Sequence, residues 1–164
     1  MNSISDYIED LETEAPATRA ILLRIPEVHL AWKPHEKSMT LGRLGMHVAE
    51  LPAWIVSTLQ TSGMDFAAGA YKPNIPDRLD QILTRFEEGI PAAAAALRSA
   101  SDEALAETWS ARAGDRIIWS LPKRTLVRQT LRHIVHHRGQ LSVYLRMLNV
   151  PLPKMFGPTA DERS

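Results

Sequence analysis

Residues 123–148 read KRTLVRQTLRHIVHHRGQLSVYLRML, and this stretch decides how the rest of the chain is interpreted. It carries no Pro or acidic residue, and Asn149 and Pro151 follow it as stop signals, so the pattern predicts one long helix from Lys123 to Leu148. At about 100° per residue, Leu126, Ile134, Leu141, Tyr144, Leu145 and Leu148 share one face, which marks the core. Arg124, Arg128, Arg132, Arg138 and Arg146 gather on the other, which marks the solvent side. His133 and His137 fall at the edge of the apolar arc and face inward, while His136 points to the flank. Residues four apart on a helix have Cβ atoms about 5–6 Å apart, close enough for two imidazoles to chelate one ion. Gln140 lies beside the pair, where it can hydrogen-bond a ligand ring. The plainer alternative is a pair of interior histidines with ordinary hydrogen-bond partners.

Working outward, helical spacing dominates and no extended alternation implies a large sheet. A first helix is expected over residues 3 to about 24, with a kink or a short first piece at Pro16. A Pro-bearing connector, residues 25–39, leads to a second helix that starts near Ser38 or Thr40 and runs to about Gln60. Its stripe is Leu41, Leu44, Val48, Leu51, Ile55 and Leu59, with Pro52 expected to bend it. Residues 61–77 form a long connection, and a third helix follows from about Pro76 to Ala100. Residues 101–121 are the least regular, with a turn or short hairpin around Ala113, Gly114 and Asp115. Four long helices joined by a long middle connection predict an all-α four-helix bundle with a crossover between helices two and three, in a single domain over 1–164.

The composition narrows the chemistry. The chain is formally neutral, which excludes a general polyanion binder, and its lack of Cys excludes disulfides, thiolate metal sites and a cysteine nucleophile. Any metal must sit on nitrogen and oxygen. No apolar stretch is long enough to span a membrane, and the first residues are acidic rather than signal-like, so a cytoplasmic location is the default expectation.

The second helix adds a third inward histidine. His47 flanks the apolar stripe, with Glu50 and Trp54 on the same side. Three His from two packed helices can hold a divalent ion and leave a position for water or substrate, which favours a reactive centre over a structural staple. Glu50 is then a candidate ligand, orienting group or general base, or else a solvated helix carboxylate. His29 and His35, in the connector, read as surface residues.

On these residues the sequence resembles the DinB/YfiT-like superfamily of small helical-bundle metalloproteins. The two signatures stand as L41-G-R-L-G-M-H47 and H133-I-V-H-H137-R-G-Q140, about 86 residues apart, and the AWKPHEKSMT connector also fits. The resemblance implies a four-helix bundle whose His47, His133 and His137 bind Zn, Ni or a similar ion. It also implies a homodimer, and an activity among thiol-dependent S-transferases, thiol-dependent isomerases and metal-dependent hydrolases.

Three functions follow. In thiol transfer, a low-molecular-weight thiol is activated on the metal; with no Cys in the chain, the nucleophile must arrive with this cosubstrate. In hydrolysis, the same three ligands activate water while Glu50 or His136 moves protons, with Gln140 in support. Trp54, Trp109, Trp119 and segment 107–120 are candidate pocket walls for a small-molecule substrate, although Trp residues also serve as core. In the third, non-enzymatic function, the six Lys or Arg between Lys123 and Arg146 bind nucleic acid. Five acidic residues among the first twenty can neutralise that face, which weighs against it.

Overall fold

The computed structural model describes residues 3–67, 69 and 72–162. The outermost ends of the expected 1–164 domain and residues 68, 70 and 71 of the middle connection lie outside the described residues. Four long helices are present: α1 (Ile4–Leu22), α2 (Leu41–Gln60), α3 (Leu79–Ser99) and α5 (Lys123–Met147). A 3-10 turn at Glu27–His29, a short helix, α4 (Asp102–Ala106), and three strands, β1 (Gly63–Asp65), β2 (Thr108–Ala113) and β3 (Arg116–Pro122), complete the regular structure among the described residues.

The helix starts follow local chemistry. Ser3 caps α1 in a capping box: its hydroxyl accepts from the Asp6 N–H at 3.3 Å and its own N–H donates to Asp6 Oδ2 at 2.7 Å. Thr40, one of the two expected caps, accepts from the Arg43 N–H at 3.2 Å. None of the internal prolines, Pro16, Pro52 and Pro91, ends its helix. α1 runs unbroken through Pro16 rather than as a short first piece, and in α2 the Pro52 ring is received by Gly89 of α3, where a Cβ would stand 3.2 Å from Pro52 Cβ. Asn149, at φ 57°, takes the left-handed conformation just past the end of α5.

The helices enclose one apolar cluster built on Leu22, Leu44, Leu51, Phe86, Ile134 and Leu141, and another on Tyr7, Leu11, Ile55, Leu97 and Val127. Gly45 lets the connector lie directly on α2, since a Cβ there would meet Ile25 Cδ1 at 2.6 Å.

The all-α expectation is incorrect. β1, β2 and β3 form a mixed three-stranded sheet in that order, with β1 parallel to β2 and β2 antiparallel to β3. The hairpin turns at Gly114, within the residues expected to form a turn or short hairpin, and its two strands pair as a ladder with an irregularity between Ala111 and Arg112. In sequence these residues look like part of a connection, because β1 is three residues long and has no periodicity to detect. Its partner lies more than forty residues away, across α3 and α4, so only tertiary pairing makes it a strand. The close approach requires glycine: a Cβ on Gly63 would sit 2.3 Å from the Ser110 carbonyl oxygen. Trp109, Ala111 and Leu126 bury the sheet against α5, and Lys123 ties the hairpin to α2 through Glu107 at 2.8 Å and the Leu59 carbonyl at 3.2 Å.

A second correction concerns the basic face of α5. Arg138, placed on the solvent side by the helical wheel, is only 1% exposed; it pairs with Glu14 Oε2 at 2.5 Å and donates to Thr18 Oγ1 at 3.1 Å. A helix crossed on several sides has no single solvent face, and α1 covers this one. Among the described residues, no helix is long and apolar enough to cross a membrane.

Candidate metal centre

α2 supplies His47, and α5 supplies His133 and His137 one turn apart. One ring nitrogen from each lies within 4.8 Å of the others. The ring centroids are 5.0 Å apart for His47 and His133, 4.6 Å for His47 and His137, and 4.5 Å for the α5 pair. The two Nε2 atoms of His133 and His137 approach to 2.7 Å. Gln140 Oε1 lies 2.6 Å from His137 Nδ1. A carbonyl oxygen only accepts, so Nδ1 carries the proton and the Nε2 lone pair is left facing the cluster.

Burial keeps these rings neutral. Desolvation, followed by the neighbouring His137, His133 and Arg43, lowers the His47 pKa to about 4. Desolvation and the adjacent histidines also lower His133. For His137, desolvation outweighs the opposing hydrogen bond from Gln140, again downward. Neutral imidazoles offer lone pairs, the form a metal requires. His47 Nδ1 is buried without a hydrogen-bond partner among the described residues. Such an atom is costly in a packed interior, so three converging neutral donors with one orphaned nitrogen suit a divalent cation better than a purely structural role.

The other candidate residues fall outside this group. Glu50 is 9% exposed and committed to Arg43, whose Nη1 is 3.0 Å from Glu50 Oε2. Arg43, four residues before His47, was not singled out from the sequence; the only hint was its place inside the Leu-Gly-Arg-Leu-Gly run. His136 is exposed, with its ring 4.9 Å from that of His137. His29 and His35 are exposed in the connector.

A cavity of about 390 Å³ opens beside His133. Trp54 and Ser57 of α2, Met64 of β1, Phe66, Trp109 of β2, Trp119 of β3, Leu126 of α5 and Arg85 of α3 line it. Trp54 also meets His47 edge-on at 6.3 Å, so one wall touches both the cavity and the histidines. Trp109 and Trp119 pack at 5.4 Å, and Trp109 Nε1 donates to Thr61 Oγ1 at 3.0 Å. Trp32 instead packs edge-on against Tyr144, 5.7 Å away. Met64, Phe66 and Arg85 carry no signal in the sequence, because their position depends on the β1–β2 pairing and on how α3 packs.

A helical bundle with an added small sheet and three histidines converging from two helices defines a class of candidate metalloprotein. The chain belongs to the DinB family, whose profile matches residues 1–162. It is 25% identical over 161 residues to the uncharacterized protein YrdA of Bacillus subtilis (strain 168), covering 98% of this chain and 92% of that one. A DinB-like protein from Bacillus cereus has the same fold, with a TM-score of 0.71 at 18% identity over 93% of this chain and 97% of the other. A mycothiol-dependent maleylpyruvate isomerase is also similar in fold, with a TM-score of 0.61 at 13% identity. That match covers 85% of this chain and 61% of the isomerase.

Proposed function

We propose that this protein is a metal-dependent enzyme that holds one divalent ion, Zn or Ni, on His47, His133 and His137, and brings a low-molecular-weight thiol to an electrophile bound in the adjoining cavity. The observation that carries this is the convergence of three neutral imidazoles beside an aromatic-walled cavity that His133 itself lines. A divalent ion there would supply Lewis acidity, making a bound thiol far more acidic than in water.

The chain's own residues bind and orient. Gln140 holds the His137 ring in the tautomer that points Nε2 inward. Arg43, held by Glu50, is close enough to His47 to add to the lowering of its pKa, which favours the neutral ring that a metal requires. Trp54, Trp109 and Trp119 offer aromatic walls to the electrophile. The chain has no Cys, so sulfur chemistry must use an imported thiol. Transfer is favoured over hydrolysis because Glu50, the carboxylate nearest in sequence to the cluster, is already paired with Arg43 rather than available as a base. The dependence on mycothiol stated for the isomerase of similar fold supports the same choice.

Elemental analysis of protein purified without a His tag should show about one divalent ion per chain. His137→Ala should remove it and His136→Ala should keep it; unchanged metal in His137→Ala would disprove the ligand set. Activity is then read as consumption of a chloroarene or epoxide with glutathione, bacillithiol or mycothiol. Consumption only when thiol is supplied supports transfer, whereas turnover without thiol supports hydrolysis.

A further inference from the structure

We propose that the cavity beside His133 takes an electrophile with a planar apolar body and a carboxylate head, and that Arg85 of α3 selects the head. This rests on the proposed function only in calling the ligand an electrophile; the binding preference stands on the cavity itself. The walls are Trp54, Met64, Phe66, Trp109 and Trp119, which offer aromatic faces and thioether surface to a flat apolar group. No carboxylate lines the cavity, and Arg85 is its single formally charged side chain among the described residues.

Arg85 is exposed and enters no ion pair among the described residues. Arg85 also lines a neighbouring groove, which it shares with Asp80 and Glu88. Of these, Asp80 is taken by Arg78 at 2.7 Å, and Glu88 makes no ion pair with Arg85. A guanidinium with no carboxylate partner at an apolar cavity is complementary to a bidentate anion, and in geometry a carboxylate matches it best. Small-molecule sites are commonly built this way, with apolar walls and a few polar groups that set orientation.

A low-molecular-weight thiol can itself carry carboxylates, so the test separates the two sources. Isothermal titration calorimetry with 2-naphthoate and with neutral 2-naphthalenemethanol should be run on metal-loaded and EDTA-stripped protein. Naphthoate should bind about tenfold more tightly than the alcohol in both forms, as expected for a charge-assisted hydrogen bond. Arg85→Gln should bring the ratio to about one with the alcohol's affinity unchanged, and Arg85→Lys should keep part of the preference. Trp119→Ala, at a partly exposed position, should weaken both probes together.

The proposal is overturned if Arg85→Gln leaves the ratio intact, or if neither probe binds. It is equally overturned if EDTA alone abolishes the preference, which would put the carboxylate on the metal. A fourth overturning result is S-methylglutathione, titrated alone, depending on Arg85 while naphthoate does not. Because the stripped protein is one arm, failure of the metal or thiol assignment leaves this result readable.

Discussion

Acidification of the metal-free protein tests the histidine cluster without any substrate. His47 has its pKa lowered from 6.5 to about 4, chiefly by burial and then by His137, His133 and Arg43. The folded state therefore binds fewer protons at His47 than the unfolded chain does between these values. Stability from this group is fully present above about pH 6.5 and is lost as pH falls toward about 4. At about 1.4 kcal/mol per pH unit, the full interval corresponds to about 3 kcal/mol, and partial exposure of the ring trims this to about 2 kcal/mol. The assay is urea unfolding in EDTA at pH 7, 5.5 and 4.5, comparing wild type with His47→Gln, which cannot titrate. Wild type should lose about 2 kcal/mol more than the variant over that range. Carboxylates such as Asp161, whose pairing with Arg146 lowers its pKa, titrate in both proteins and cancel in the difference. Parallel losses in the two proteins would refute the claim that the fold holds His47 neutral.

Three further outcomes are expected. Gln140→Leu removes the partner of His137 Nδ1 and should weaken metal affinity by about 10–100-fold in a chelator competition, with little change in thermal stability of the metal-free protein. Gly45→Ala drives a Cβ into Ile25 Cδ1 and should cost about 1–3 kcal/mol in urea unfolding; combining it with Ile25→Val, which deletes that methyl, should recover part of the loss. Glu14→Ala strands the buried Arg138 and should cost about 3–5 kcal/mol, whereas Arg138→Met, which removes the charge, should cost less.

The nucleic-acid alternative weakens on the same contacts. Of the six cationic residues on α5, Lys123 pairs with Glu107, Arg138 with Glu14 and Arg146 with Asp161. Arg124 donates to the Leu105 and Asp102 carbonyls. The electrostatic stripe visible in sequence is largely consumed within the fold, leaving Arg128 and Arg132 exposed.

The elements that local chemistry specifies were legible in the chain. Four long helices follow from apolar periodicity and from caps such as Thr40 and the Asn149 stop, because a 3.6-residue period survives in one dimension. The candidate metal group was legible for the same reason: His133 and His137 share a face by spacing, and His47 sits at the equivalent edge of its own stripe. Tertiary structure decided what depends on distant partners. β1 is a strand because Gly63 can approach Ser110, and a three-residue segment carries no period to reveal it. Arg138 is buried because α1 passes over it, and Glu50 is occupied because Arg43 reaches it two turns along α2. The aromatic cavity, with Met64, Trp109, Trp119 and Arg85 on different elements, exists only once the sheet is docked. Spacing along one helix places ligands, but the surfaces that would choose a substrate come from elements brought together by folding.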